Sequence, residues 1–397
     1  MQPLKGLTVV TLEHAIAAPF ATRQLADLGA RVIKIERPGV GDFARGYDTR
    51  VRGLASHFVW TNRSKESLTL DVKHPQAAAL LQRLILEKAD VVVQNLAPGA
   101  ASRLGVSYEA LSALKPGLIV CDISGYGDDL NHPGPYRDKK AYDLLIQSEA
   151  GFVSITGTPD EPSKAGISIA DIAAGMYAYT HILAALLQRN IDAKGRRIDV
   201  SMLESLAEWM SYPLYYACDG ALAPARTGAS HATIYPYGPF PTGDGKVVML
   251  GLQNEREWLA FCAHVLLQPA LAKDPRFLGN AQRSAERAAL RALIVEAFAS
   301  LSAEQVAERL DAAQIANAQV NTMREVWEHP QLAARRRWRE VASPAGPLPT
   351  LLPPGNWDDG EPRLDAVPAL GQHTEAILRE LGLDTAQIAA LRSAAAI

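Results

Sequence analysis

The 397-residue sequence predicts an α/β fold: a doubly wound parallel sheet, joined to a smaller α+β domain of roughly residues 225–325. Two observations predict it. Short apolar runs alternate with helix-sized segments through the first 125 residues, and strands spaced by helices form right-handed βαβ units with a parallel sheet. After Pro213 the composition turns to Gly, Pro and Tyr, as in Tyr235-Pro236-Tyr237-Gly238-Pro239, which marks a crossing between domains.

In order, residues 7–12 read as a strand and residues 17–28 as a helix closed by Gly29, a good C-cap. Residues 31–36 are the next strand, stopped by Pro38, and a polar, glycine-containing loop covers residues 39–53. Strands are expected at 67–72, 90–95 and 117–123, with a helix opened by Pro75 at N1 and running to Lys88. A long apolar helix follows Asp171, and Gly195-Arg196-Arg197-Ile198-Asp199-Val200-Ser201 leads into a second helix through Trp209. Beyond the crossing come a strand at 246–251, a helix at 255–267 and alanine-rich amphipathic helices over 284–313. Residues 344–354 are Pro-rich and structureless, and a terminal helix starts at His373.

Hydrophobic content of 48%, charged content of 21% and a net charge of −3 describe an ordinary globular chain. No basic excess points to nucleic acid. The start, Met1-Gln2-Pro3-Leu4-Lys5-Gly6, runs into strand-like sequence without a signal peptide. Cys121, Cys218 and Cys262 lack metal-ligand spacing, and reduced thiols in a cytoplasm are the expectation.

Asp171 is the one acidic residue between Ile167 and Leu187, and a carboxylate there is costly to bury unless something pairs with it or uses it. Three readings stand. Ser168 or Asp171 caps a helix; the run spans a membrane, which Asp171, His181 and the missing basic flanks oppose; or Asp171 is a catalytic carboxylate held by the positive end of its helix.

The turn after the first strand, Glu13-His14-Ala15-Ile16-Ala17-Ala18-Pro19, lacks the glycine fingerprint of dinucleotide binding, and there is no P-loop. A nicotinamide dehydrogenase is therefore disfavoured. Basic and amide residues instead follow the strands: Arg37, Lys73, Asn95, then Arg103, and Lys139-Lys140 ahead of Tyr142. Each alone reads as a solvated surface group. As a set at converging strand ends they suggest a phosphate-bearing ligand.

The chain resembles the family III CoA-transferases, the CaiB/BaiF group. The resemblance is carried by Leu25-Ala26-Asp27-Leu28-Gly29-Ala30 with Val32-Ile33-Lys34-Ile35-Glu36-Arg37-Pro38, by Asn95 with Pro98-Gly99 and Arg103-Leu104-Gly105, and by Gly125-Tyr126-Gly127. It continues through Asp171 with Gly175, Arg197-Ile198-Asp199-Val200-Ser201, His329-Pro330-Gln331-Leu332 and Leu370-Gly371-Gln372-His373-Thr374. It implies a Rossmann-like large domain over 1–224, a small domain over 225–325, and a segment 326–397 that returns to the large domain, in a homodimer of interlocked chains. Neither nucleic acid nor membrane is an expected partner.

By the same resemblance Asp171 is the nucleophile. Its carboxylate attacks an acyl-CoA thioester, forms an aspartyl-acyl anhydride and then an aspartyl-CoA thioester, and passes CoA to an acceptor acid; such covalent catalysis splits one hard exchange into easier steps. CoA enters as co-substrate, with no permanently bound cofactor and no metal. Asp171 is expected to be ionised, helped by its helix N-terminus, with backbone N–H groups at the oxyanion. Arg37, Leu70, Lys73, Asn95, Leu96, Arg103, Lys140 and Tyr142 are the implied CoA site, its cations suiting the phosphates.

Similarity to members acting on short dicarboxylates makes succinyl-CoA the expected donor and itaconate the first acceptor. The substrate-binding candidates are His14, His231, Tyr237 and Gln253, with Arg45, Arg50, Arg226, Tyr235 and Asn254 as further donors. The glycine-rich loop of some members is replaced by Gly251-Leu252-Gln253-Asn254-Glu255. A racemase of the same fold would want His where this chain has Tyr142 beside Asp143, leaving His14 or His57 as substitutes. A CoA-ester-binding protein without catalysis is the remaining alternative.

Overall fold

The computed structural model describes residues 2–356, 358 and 360–397. Met1, Trp357 and Asp359, which fall within the expected spans 1–224 and 326–397, lie outside the described residues. The chain forms two compact units: Met1–Gly151, Ala165–Ser211 and Leu332–Ile397 make the first, and Phe152–Lys164 with Tyr212–Gln331 the second.

The first unit opens with β1 (Thr8–Leu12), α1 (Ala17–Asp27), β2 (Arg31–Glu36), α2 (Ser56–Asn62), β3 (Lys65–Thr69), α3 (Pro75–Lys88), β4 (Val91–Gln94), α4 (Ala100–Arg103), α5 (Tyr108–Ser112), β5 (Ile119–Ser124) and α6 (Asp143–Glu149). After α7 (Phe152–Ile155), which belongs to the second unit, come α8 (Ile169–Asp192), β6 (Arg197–Ser201) and α9 (Met202–Met210). The six strands are parallel in the order β3-β2-β1-β4-β5-β6. Val9, Val10, Val32, Ile33, Val91, Val92 and Val120 are buried, because helices cover both faces of such a sheet, which is why its strands read as unbroken apolar runs.

Two strands differ from expectation. The third lies at 65–69 rather than 67–72, since Lys65 is drawn into a buried ion network that a hydropathy pattern cannot show. Residues 197–201 form a sixth strand, disguised by polar residues because it lies at the sheet edge. The helix α2 carries no periodicity that would have announced it.

The C-terminal segment returns to this unit. Trp338–Val341 and Leu348–Leu351 pair antiparallel, so the stretch expected to be structureless holds a strand; Pro349 fits there because an edge strand need not donate every N–H. Farther on, Ser67 N–H donates to His373 Nδ1 (3.1 Å), His373 N–H to Ser67 O (3.0 Å) and Gly371 N–H to Ser67 Oγ (2.8 Å). The Leu370–Thr374 motif is thus a clasp on the edge of β3. The expected terminal helix is two helices, Thr374–Glu380 and Thr385–Ser393, broken at Gly382 with φ 83°. Ile377, Leu378, Ile388 and Leu391 complete the core around Leu68, Leu81 and Ile85.

The second unit has helix α10 (Tyr212–Tyr216) and an antiparallel sheet of β7 (Tyr237–Pro241), β8 (Val247–Gly251) and β9 (Ala316–Gln319). Helices α11 (Glu255–Ala260), α12 (Asn280–Ala285), α13 (Arg287–Phe298) and α14 (Ala303–Ala312) accompany it. The core holds Phe240, Trp258, Phe261, Phe277 and Phe298. The helix expected over 255–267 changes pitch: α11 runs into a π turn at Phe261–Val265.

The 24 residues of α8 are long and apolar enough to cross a membrane. Ala170, Ala173, Ala174, Gly175, Ala178 and Ile182 nevertheless sit buried, on a helix packed against α1, α9, β5 and β6.

Candidate active site

In an open parallel sheet, ligands bind beyond the strand C-termini where strand order reverses. Here that point lies between β1 and β4, and two side-chain amide contacts tie its lips together. His14 N–H donates to Asn95 Oδ1, and Asn95 Nδ2 donates to His14 O, each at 2.9 Å. Asn95 therefore shapes the turn that carries His14. The imidazole stacks on Phe43, with ring centroids 5.3 Å apart. His14 Nδ1 is buried without a hydrogen bond, 3.9 Å from Asp42 Oδ1. Burial, with Lys34 nearby, outweighs the neighbouring carboxylates and lowers its pKa, favouring neutral imidazole.

Beneath the turn lies a buried ion network. Lys34 Nζ donates to Asp42 Oδ2 (2.7 Å) and Glu13 Oε1 (3.3 Å), and Lys65 Nζ donates to Glu13 Oε1 (2.6 Å). Burial alone would raise the Glu13 carboxyl, but Lys65 and Lys34, with hydrogen bonds from Lys65 and Thr22, bring it down to about 2. Asp42 Oδ1 in turn accepts the N–H groups of Ala15 (3.2 Å) and Ala44 (2.9 Å). Ala15 has φ 61°, a left-handed conformation that a non-glycine residue keeps only where its surroundings hold it.

The strained turn delivers the first residues of α1, whose N-terminus has no side-chain cap and no acidic residue in its first turn. Orphan N–H groups there make an anion site, and the Asp171 carboxylate occupies it, accepting from Ala17 N–H. Asp171 comes from α8, half-buried. The expected ionisation is corrected here: burial, then the charge of Asp143, push its pKa up to about 7, with the Ala17 hydrogen bond pulling the other way. A carboxylate that keeps a proton near neutrality is a stronger base when ionised than a solvated one, as suits a nucleophile.

The cap reading for Ser168 and Asp171 is also corrected. Ser168 holds the N-cap position of α8 without a side-chain bond. The capping oxygen is Asp143 Oδ1, which accepts from Ala170 N–H (2.8 Å) and Asp171 N–H (3.3 Å).

The CoA-site candidates fall mostly on one rim. Arg37, Lys73 and Asn95 follow β2, β3 and β4, and Arg103 ends α4; Arg37, Lys73, Arg103 and Lys140 are exposed. Tyr142, 66% exposed, precedes α6. Leu96 is half-buried beside a cavity with Pro98, Gly99, Ser102 and Arg197. Leu70 differs: its side chain is in the core, so a ligand would meet its main chain only.

Several acid-binding candidates are committed elsewhere. Arg45 forks onto Glu36 (2.8 and 2.7 Å) and covers the Phe58 ring, while Arg50 is exposed. In the second unit Arg226 donates to the carbonyls of Thr158, Ser154 and Pro159, and Tyr235 is buried. There His231 stacks on Tyr237 at 5.3 Å and its Nδ1 accepts from Thr233 and Ile234 N–H, which leaves the proton on Nε2. Gln253 is exposed, and Asn254 caps α11 through Glu257 N–H at 3.0 Å, so the stretch in place of a glycine loop is a helix start. Tyr47 escaped the sequence reading: burial, Asp42, Asp171 and Tyr142 raise its phenol to about 12, and only its position after β2 hinted at a role. Among the described residues there is no group of three His, Cys, Asp or Glu side chains placed to hold a metal.

The family model described as CoA-transferase family III matches residues 4–374. The chain belongs to CoA-transferase family III. This CoA-transferase is 33% identical to the succinate–glutarate CoA-transferase of Agrobacterium fabrum, over 96% of each chain. It is 32% identical to the succinyl-CoA–D-citramalate CoA-transferase of Chloroflexus aurantiacus, over 99% of this chain and 97% of that one. Among solved structures, a CaiB/BaiF family protein from Brucella suis superposes with a TM-score of 0.83 at 35% identity, covering 96% of this chain and 99% of that one. CoA-transferases take CoA thioesters as co-substrate.

Proposed function

We propose that this CoA-transferase moves CoA from succinyl-CoA to a short dicarboxylic acid such as itaconate, through covalent intermediates on Asp171. The observation that carries the mechanism is the Asp171 carboxylate set against the uncapped N-terminus of α1 at the switch point of the sheet. Relatives named for glutarate and D-citramalate support a dicarboxylate acceptor and a succinyl donor.

An ionised Asp171 oxygen attacks the thioester carbonyl; the C–S bond breaks and CoA leaves as thiolate, giving a mixed anhydride. The thiolate attacks Asp171 Cγ, expels succinate and forms the aspartyl-CoA thioester. The acceptor carboxylate attacks that carbonyl, CoA leaves again, and its return to the acyl carbon of the new anhydride frees Asp171 and the product thioester. The exchange consumes no net proton. First-turn N–H groups of α1 are the donors suited to each tetrahedral oxyanion, and Arg37, Lys73, Arg103 and Lys140 are suited to the CoA phosphates.

We also propose the interlocked homodimer. The first unit leaves Ile191 80% exposed, and the second leaves Tyr215 and Leu222 82% and 90% exposed, side chains that a partner chain would cover. Static light scattering at micromolar concentration should report twice the chain mass, and a monomer sinks this part.

The mechanism is tested by intact-protein mass spectrometry after mixing with succinyl-CoA and quenching with hydroxylamine. The wild-type chain should form a hydroxamate absent from Asp171→Ala, and a panel of dicarboxylic acids then names the acceptor. An unmodified wild-type chain would overturn the covalent route.

A further inference from the structure

We infer that Asp143 is a positioning residue that aims the Asp171 carboxylate and holds it in its reactive state, with Gln147 as its partner. This rests on Asp171 being the nucleophile.

Asp143 is the first residue of α6, yet one of its oxygens serves the beginning of a different helix, while the other is held by a residue of its own. Oδ1 takes the N–H groups of Ala170 and Asp171, at 2.8 and 3.3 Å. Oδ2 accepts from Gln147 Nε2 at 2.7 Å. Gln147 sits one turn along α6 and is fully buried; its Oε1 accepts from Ala165 N–H at 2.9 Å. Two side chains four residues apart thus grip the chain on both sides of the Gly166–Ser168 approach to α8. With the N–H of Asp171 itself in the grip, the rotation of its Cα, and hence the direction of its carboxylate toward Ala17, follows from Asp143.

A neutral cap could also accept from the N–H groups. The carboxylate adds a charge next to the nucleophile, and like charges disfavour joint ionisation. Beside burial, Asp143 is the charged side chain that acts on Asp171, Ala17 N–H on α1 opposes it, and Asp171 and Tyr142 both act on Tyr47. Burial and the Asp143 charge together keep the Asp171 carboxylate basic, and so nucleophilic, where an N-terminal position alone would make it a weak base. Its neighbour Tyr142 is a proposed CoA contact, so the segment that meets the thioester is continuous with the one that aims the nucleophile.

The hydrogen-bond pattern supplies its own control. Asp143→Asn keeps an oxygen for the two N–H groups but turns an NH2 toward the NH2 of Gln147. Adding Gln147→Glu restores every bond, since the new carboxylate accepts from the amide introduced at position 143 and from Ala165 N–H, and it moves the charge one hydrogen bond away from Asp171. The readout is the rate of hydroxylamine-trapped adduct formed in one turnover of succinyl-CoA, followed across pH 5–9, which needs no acceptor acid. In Asp143→Asn the plateau rate should fall about tenfold, one lost buried hydrogen bond, and the acidic limb should move down by about one pH unit. In Asp143→Asn/Gln147→Glu the plateau should recover while the limb stays below wild type. A wild-type limb in both variants, or a folded double variant with an unrecovered plateau, overturns the inference. A wild-type chain that forms no adduct overturns the transferase mechanism as well, so the two failures are told apart.

Discussion

Gly175 stands where α8 crosses the first turn of α1, and a Cβ built on it would lie 2.7 Å from the carbonyl oxygen of Ala17. The same atom would come within 2.9 Å of Phe20 Cδ1. Gly175 is four residues after Asp171, on the same helix face, so the closeness it permits is what brings the Asp171 carboxylate within reach of Ala17 N–H. Gly175→Ala should force α8 away from α1. The expected outcome is a loss of about 1–3 kcal/mol in stability, as for other overpacked cores, and at least a tenfold drop in kcat, read by thermal melts and steady-state kinetics. An active, stable variant would show that the approach has slack.

The raised pKa of Asp171 has a cost in stability. An unfolded Asp titrates near its ordinary value, while the folded one waits until about 7. Well below the ordinary value of 3.8 both forms are protonated and nothing is lost. Between these values the unfolded chain ionises first, so the folded state loses stability as pH rises and the loss levels off above 7. Asp171→Asn should therefore stabilise the fold at pH 8, by roughly 2 kcal/mol once partial exposure is discounted, and do little at about pH 3. Melting curves at the two pH values decide it.

Lys34 is buried between Glu13 and Asp42. Lys34→Met would leave Asp42 without its ion partner and Glu13 with Lys65 alone. Breaking a buried pair from one side costs about 3–5 kcal/mol, and a urea titration should show it. Because Asp42 also holds Ala15 in its left-handed conformation, residual activity should fall further than unfolding explains.

Asn95 gives one donor and one acceptor to His14. Asn95→Asp keeps the acceptor and leaves His14 O without a donor, so kcat/KM for the CoA ester should drop about tenfold, the value of one hydrogen bond near a site. Asn95→Ala loses both contacts and should drop further. Equal kinetics for the two variants would mean that the pair does not set the turn.

Arg226 offers its guanidinium to three carbonyls of residues 154–159. Arg226→Lys should lower stability, because an ammonium cannot match a planar fork on several acceptors, while leaving KM for the acceptor acid within about twofold. A selective rise in that KM would return Arg226 to the substrate site.

Much of the first unit was legible because parallel strands buried on both faces announce themselves by composition alone. Thus β1, β2, β4, β5 and α3 fall within a few residues of their expected bounds. The Leu370–Thr374 motif was visible as a pattern, while its meaning as a clasp on Ser67 depends on a contact spanning about 300 residues. The strand Leu348–Leu351 was hidden by its prolines, which only pairing at an edge makes acceptable.

The sequence by itself determined the α/β class, the family, and Asp171 as the one carboxylate in an apolar run. The class follows from the alternation of strand and helix, the family from its resemblance in motifs such as Arg197–Ser201 and Leu370–Thr374, and Asp171 from a charge that stands out from its neighbours. Only the tertiary structure decided how that carboxylate behaves. Its cap comes from Asp143, 28 residues earlier, its hydrogen bond comes from Ala17 on another helix, and the balance of burial and charge reverses the shift expected of a helix N-terminus. Ionisation depends on what surrounds a group in space, and nothing along the chain near Asp171 records those neighbours.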